Sequence, residues 1–400
     1  MPRPVYWLYA ARAIRDFGDG FVAVLLAVYL TELGLGAFQV GVLATLALLG
    51  SALMTLGIGL LGPNTGRRGL LIMASALMVA SGLAFAATDN YWVLLLVAFV
   101  GTINPSTGNA SIFVPLEHAL LADSAANANR TRLFAVYGLT GALAAALGSL
   151  ASASPEFLVT LGLTRLQALK AMFLLYALLG VAGGICYRLF PAAIRHAGTK
   201  AATALGPSRR IVYRLAALFS IDAFAGGFAV QSLLALWLFN KFGLSLKTAG
   251  LFFFWSGLLA ALSFPAAAWL SRRIGLINTM VYTHIPSSIA LILAAVAPNL
   301  TLALTFLLIR AALSQMDVPT RSSYVMAIVT PPERAAAASI TSAPRSLVAA
   351  ASPVIAGALF AAGLDVWPFV ICGLLKITYD LAMLWTFRHI KPPEEQKPSP

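Results

Sequence analysis

Four charged residues, Arg12, Arg15, Asp16 and Asp19, stand inside the first long apolar stretch of a chain that otherwise avoids charge. At helical periodicity they share one face. Arg12 with Asp16, and Arg15 with Asp19, have the i,i+4 spacing at which opposite charges neutralise each other. One charged side chain at the centre of a membrane helix costs about 2.5–3.5 kcal/mol on insertion scales, so four are tolerated only when paired or facing water. The stripe therefore predicts a polar cavity within a membrane.

The composition requires that membrane. Hydrophobic residues make up 60% of the 400 residues and charged residues only 10%, against about 25% charged in soluble domains. A spanning helix needs about 20 residues. Hydropathy and Gly/Pro breaks place spans at 5–31, 38–61, 68–87, 91–121, 132–153, 167–190, 210–239, 246–270, 275–297, 300–328, 336–362 and 366–388. The expected fold class is an all-α integral membrane protein with the lipid bilayer as its solvent and no room for a folded soluble domain. The start, Met1-Pro2-Arg3-Pro4, runs directly into the first span and reads as no removable signal peptide.

The net charge of +13 would suggest nucleic acid in a soluble protein; here its distribution excludes that partner. Arg67 and Arg68, Arg130 and Arg132, the stretch from Arg195 to Arg210, Arg272 and Arg273, Arg334, and Lys391 with Lys397 fall on alternate connections. The positive-inside rule then puts both termini in the cytoplasm, and the compact loops suggest a bacterial inner membrane. Cys186 and Cys372 lie in apolar spans without metal-ligand spacing, so neither a metal nor another cofactor is expected.

The segment 191–209 reads as a cytoplasmic linker between six-helix halves at 1–190 and 210–390, with a tail at 391–400. Self-comparison supports a duplication: Gly34-Leu35 with Gly41 recurs as Gly243-Leu244 with Gly250, and Gly20-Phe21 as Gly227-Phe228. Val114-Pro115-Leu116-Glu117, thirteen residues before Arg130, matches Val318-Pro319-Thr320-Arg321, thirteen before Arg334. One symmetry position thus carries opposite charges. On this alignment Ser106, Ala110, Phe113 and Glu117 of span 4 correspond to Arg310, Ser314, Asp317 and Arg321 of span 10.

Twelve spans, a central linker and a six-plus-six duplication resemble the major facilitator superfamily over essentially the whole chain. Gly59-Leu60-Leu61-Gly62-Pro63-Asn64-Thr65-Gly66-Arg67-Arg68 is similar to that family's G-x-x-x-D-R-x-G-R-R loop, with Pro63 and Asn64 where its Asp and Arg belong. The span 4 arginine common in proton-coupled drug exporters is missing, and span 5 lacks the Gly-Pro pair of the antiporter signature. The resemblance implies two pseudo-symmetric six-helix bundles and alternating access, with spans 1, 4, 7 and 10 around a central cavity. Those spans hold the charges found independently: Arg12, Arg15, Asp16, Asp19, Glu117, Asp222, Arg310, Asp317 and Arg321.

For substrate or proton binding the candidates are Arg12, Arg15, Asp16, Asp19, Asp222, Arg310 and Asp317. Asp222, among small residues and without a local partner, is the leading single proton carrier. Arg310 and Asp317, seven apart on one face, form the expected substrate-facing pair. Glu117 is read as a gate residue pairing with Arg130, Arg132 or Arg321, and Arg67 and Arg68 join this gating set. Arg345 is read either as a source of positive potential in the cavity or as a structural partner of a carboxylate. Lys376 and Asp380 in span 12 are read as a local i,i+4 ion pair, and His118 and His284 as polar packing residues.

The resulting expectation is a secondary active transporter moving a small organic solute, with protons as coupling ion, export of an amphiphilic compound and a monomeric state. Its alternative is organic-anion transport through Arg12, Arg15, Arg310, Arg321 and Arg345, decided by which arginines lack acidic partners. No P-loop, zinc-ligand helix motif or nucleophile elbow is present, so an enzyme is not expected.

Overall fold

The computed structural model describes residues 5–61, 66–106, 111–124, 130–191 and 205–390. They form α1 (Val5–Glu32), α2 (Ala37–Leu61), α3 (Arg67–Ala87), α4 (Tyr91–Val100), α5 (Phe113–Ser124), α6 (Arg130–Ala151), α7 (Ser154–Thr160), α8 (Arg165–Leu189) and α9 (Arg209–Gly227). The chain continues with α10 (Gln231–Phe242), α11 (Leu246–Ile274), α12 (Leu276–Ala295), α13 (Leu300–Ser314), α14 (Asp317–Ile328), α15 (Arg334–Ala349), α16 (Ser352–Ala361) and α17 (Trp367–Phe387). Among the described residues ten helical segments are long and apolar enough to cross a membrane. Charge in α1 and the division of span 4 into α4 and α5 account for the other two spans expected. The linker residues 192–204 and the tail 391–400 lie outside the described residues.

Spans 4, 7, 10 and 11 are each divided, a feature absent from the sequence reading, and proline explains three of the breaks. A helical proline lacks an N–H and its ring crowds the carbonyl four residues earlier. For Pro319 that residue is Gln315, which lies between α13 and α14; for Pro353 it is Ala349, the last residue of α15; for Pro115 it is Ser111, just before α5. The chain turns through these points on tighter i→i−3 bonds, including Val318 N to Gln315 O at 3.3 Å and Ala351 N to Val348 O at 3.2 Å. The repeated Val-Pro of the duplication thus carries a repeated backbone break. Span 7 divides without proline, after Gly226-Gly227.

The helices gather into two compact units. The first contains α1 to α8, α10, α11 as far as Gly257, and residues 353–362 of α16; the second contains α9, the rest of α11, α12 to α15, and α17. In the first, α1 packs on α5, α6, α8 and α10. Every residue of α1 from Phe21 to Leu30 is buried, as befits a helix that is apolar all round. Small residues permit this approach: a side chain at Gly20 would collide with the Ala145 carbonyl of α6. Tyr29, Phe85 and Phe173 close the unit's interior, with ring centroids 4.8 Å apart for Tyr29–Phe173 and 5.1 Å for Phe85–Phe173. In the second unit α9 packs on α15 and α17, and α12 on α13, α14 and α17. Large apolar side chains such as Trp92, Leu178 and Trp385 are exposed, as lipid-facing residues are when helix association does not rely on hydrophobic burial.

Outside the spans, the second unit is fastened at Glu333, in the 3-10 turn Pro331–Glu333. Its carboxylate accepts from Ser208 Oγ at 2.7 Å, from Thr330 Oγ1 at 2.6 Å and from the Gly206 backbone N–H. The Thr330 and Ser208 hydroxyls hold its pKa down to about 2. A carboxyl lowered by folding contributes stability fully present above its unfolded value of about 4.3 and lost as pH falls through the folded value. Glu333→Gln is expected to lower the melting temperature in detergent at neutral pH. The gap from wild type closes as pH falls from above 4 toward about 2, and a gap independent of pH would refute the assignment.

Candidate functional site

Each unit contains a buried polar cluster. In the first, Arg12, Arg15, Asp16 and Asp19 of α1 are 3–5% exposed and Glu117 of α5 is 0% exposed. Arg12 Nε lies 2.6 Å from Asp16 Oδ2, and its Nη1 donates to Tyr137 OH at 3.2 Å. Arg15 donates from Nε to Asp16 Oδ1 at 3.2 Å and from Nη1 to Glu117 Oε2 at 2.8 Å. Glu117 also accepts from Tyr187 OH at 2.6 Å and from Tyr137 OH. The guanidinium faces are covered as well, that of Arg15 by Phe113 with 4.6 Å to the ring centroid and that of Arg12 by Tyr137 at 4.7 Å.

This geometry keeps one expected pairing, corrects a second and gives Glu117 partners that were not expected. Arg12 pairs with Asp16 as spacing predicts, but Arg15 turns from Asp19 to Asp16 and Glu117. Glu117 correspondingly pairs with Arg15 and two tyrosines, where Arg130, Arg132 or Arg321 was expected. The physical reason is that Glu117 has no other cation in reach among the described residues and a buried lone carboxylate is costly. Gly141 of α6 makes the arrangement possible, because a methyl group there would fall on the Arg12–Asp16 pair.

Asp19 remains without an ion pair among the described residues. It accepts from Tyr176 OH at 3.2 Å, and that hydroxyl also lies 3.0 Å from the Thr102 carbonyl. The single phenolic proton cannot fully serve both acceptors, and a hydroxyl accepts as readily as it donates. Asp19 can therefore be satisfied either as a carboxylate or as an acid donating to Tyr176.

In the second unit Asp222 of α9 is the centre. Lys376 Nζ donates to its Oδ1 at 2.6 Å and Arg321 Nη1 to its Oδ2 at 3.1 Å, while Arg345 Nη2 stands 3.8 Å from Oδ2. Arg321 also binds Asp317 at 2.9 Å. Asp222 therefore has no partner nearby in sequence but several in space. Lys376 and Asp380 do not form the expected local pair, because Lys376 reaches Asp222 and Asp380 binds His284 Nδ1, with both carboxylate oxygens at 3.0 Å. His284 is thereby a member of the cluster and not a packing residue. Asp317, expected with Arg310 to face the substrate, is bound by Arg321. The Arg310 side chain is partly buried and makes no ion pair among the described residues. Around Asp222 and Asp317, then, three cations (Arg321, Arg345 and Lys376) meet two carboxylates.

Of the other gating candidates, Arg68 donates from Nε to the Tyr187 carbonyl at 3.0 Å and from Nη2 to that of Arg188, tying α3 to the end of α8. Arg67 lies in the first turn of α3. The Arg130 and Arg132 side chains, Ala110 and the loop residues Gly62 to Thr65 are outside the described residues. The sequence reading left out Tyr137, Tyr176 and Tyr187, and it gave His284, Lys376 and Asp380 other roles. The signal for Lys376 and Asp380 was present, since mid-span ionisable residues unable to reach an interface need internal partners.

A sequence profile described as Major Facilitator Superfamily matches residues 8–306 and 215–400. An uncharacterized membrane protein of Saccharomyces cerevisiae, YJR124C, is 25% identical over 422 residues, covering 96% of this chain and 94% of the relative. Among solved structures, a D-xylose–proton symporter superposes with TM-score 0.76 at 17% identity, covering 98% of this chain and 99% of its own. The human organic anion transporter MFSD10 superposes with TM-score 0.65 at 16% identity, covering 96% and 100%. At such identities these structures establish a common fold.

Glu117→Ala removes the acceptor of three buried donors and leaves Arg15 under-compensated. It is expected to destabilise the protein by about 3–5 kcal/mol, read by denaturant unfolding in detergent. A loss below about 1 kcal/mol would show that the cluster is not held together at this residue.

Proposed function

Because the chain belongs to the major facilitator superfamily, and is thus a multi-pass membrane transporter of small solutes and not an enzyme, we propose that its solute is an organic anion moved with protons. The reading rests on Arg345. Its side chain is 38% exposed and its nearest carboxylate, Asp222, is 3.8 Å away and already bound by Lys376 and Arg321. Its Nε is buried without a hydrogen-bond partner among the described residues. A guanidinium so placed attracts a carboxylate or phosphate, which it can hold through two parallel bonds.

Export of an amphiphilic compound drew its support from the number of cavity acids. In the folded chain all of those acids but Asp19 are occupied: Asp16 and Glu117 by arginine, Asp222 by lysine and arginine, Asp317 by arginine. They leave little for an organic cation, whereas Arg345 and Arg310 are the groups short of a counter-charge. Proton coupling is assigned to Asp19, which can change its protonation without breaking an ion pair, in place of the enclosed Asp222. The symporter and MFSD10, by their descriptions, indicate that this fold accommodates both proton coupling and organic anions. The proposal keeps the halves at 1–190 and 210–390 with both termini in the cytoplasm, and a single chain suffices for it.

The test is uptake into proteoliposomes of benzoate, succinate and a phosphate monoester, beside tetraphenylphosphonium as an organic cation, with and without a pH gradient. Saturable anion uptake is expected, with Arg345→Met raising KM at least tenfold, about 1.4 kcal/mol. Asp19→Asn is expected to lose the response to the gradient while retaining exchange of labelled for unlabelled anion. Uptake of the cation alone, unchanged by Arg345→Met, would overturn the proposal.

A further inference from the structure

The second unit contains a continuous buried chain of ionisable groups that the anion reading does not use. Asp380 of α17 holds His284 Nδ1 of α12 at 3.0 Å, His284 Nε2 lies 3.4 Å from Lys376 Nζ, and Lys376 donates to Asp222 Oδ1 at 2.6 Å. His284, Asp380 and Asp222 are 2%, 0% and 4% exposed. With the ring neutral and Lys376 an ammonium, the donor inventory sets the tautomer. An ammonium has no lone pair, so Nε2 must accept from Lys376, and Nδ1 must carry the hydrogen given to Asp380.

We propose that His284 Nε2 is a proton-binding site, and that its occupation releases Lys376 from Asp222. A proton taken up on the Nε2 lone pair leaves the imidazolium donating from Nδ1 to Asp380 and from Nε2. The Nε2–H group lies 3.9 Å from Asp222 Oδ1, the oxygen now held by Lys376. Two cations 3.4 Å apart repel in a space of low polarity. The imidazolium takes over Asp222 Oδ1, the ammonium is freed, and the cluster gains one positive charge. The only covalent bond formed is that to the incoming proton; the Lys376–Asp222 hydrogen bond is exchanged for one from His284 Nε2.

The surroundings are set for this exchange. From α17 the imidazole faces Lys376, Asp380 and Tyr379, whose ring meets it edge-on at 6.1 Å. From α9 it faces Asp222. Of the other helices packed on α12, α14 carries Asp317 and Arg321 and α13 carries Arg310, whose carbonyl accepts from Ser287 Oγ at 3.2 Å. Tyr379 OH and Ser288 Oγ, the latter one turn beyond His284, are buried with no hydrogen-bond partner among the described residues. Each hydroxyl can both donate and accept. Asp380 holds the ring through both of its carboxylate oxygens and compensates the imidazolium, the orienting role that carboxylates fill beside functional histidines. The consequence for transport rests on the anion reading: a freed Lys376 is a second cation for the anion, so proton and anion binding strengthen each other reciprocally.

The test is nitrogen NMR of the detergent-solubilised full chain labelled with 15N-histidine. His284 is assigned among the four histidines by its disappearance in His284→Gln. At pH 8 the expected signal is the neutral ring protonated at Nδ1, and at pH 5 the imidazolium. In Lys376→Met the imidazolium fraction at pH 7 is expected to be at least twofold larger, and in Asp19→Asn unchanged. A ring protonated at Nε2 at pH 8, a neutral ring throughout, or indifference to Lys376→Met would each overturn the proposal. Adding benzoate or succinate separates it from the anion reading. A rise in the imidazolium fraction supports both, and response to Lys376→Met without response to either anion leaves the proton site standing and removes the anion.

Discussion

A charge inside a bilayer must find its counter-charge within the protein, and this requirement organises both units. Water would relieve an exposed ionic group at little cost, whereas lipid offers nothing. The charged side chains of α1 are therefore met by groups on α5, α6 and α8, and Asp222 of α9 by groups on α12, α14, α15 and α17. Each contact that neutralises a charge also fixes one helix against another. Small residues let the backbones approach, and the ionic groups set which faces meet.

The two clusters differ in their remainders, the second being counted around Asp222 and Asp317 and without Asp380, which is held by His284. In the first, two arginines face three carboxylates and Asp19 is left with a tyrosine; around Asp222 and Asp317, three cations face two carboxylates. The duplication helps to explain the divergence, since one symmetry position holds Glu117 in the first half and Arg321 in the second.

Much of the fold was legible in the sequence because bilayer thickness fixes span length and glycine, proline and basic residues mark the ends. Even the divided spans 10 and 11 were written there, in Pro319 and Pro353, although hydropathy averages across a break of two residues. The clusters were legible in membership and not in pairing. Spacing along one helix found Arg12–Asp16, but Arg15–Asp19 and Lys376–Asp380 were displaced by partners on other helices, where the geometry is better and the local dielectric lower. His284 was missed because a lone histidine in an apolar span gives no sign of the Asp380 that meets it from 96 residues away.

Gly141 illustrates how far the electrostatics of such a protein depend on uncharged positions. The Arg12–Asp16 pair occupies the space its missing side chain leaves on α6. Steric volume on one helix therefore decides which charges on another are neutralised. A chain could keep every ionisable residue of α1 and still redistribute them through one added methyl group. Inheritance of charge pairing in relatives is then a matter of small residues on α6 as much as of the acids and bases themselves.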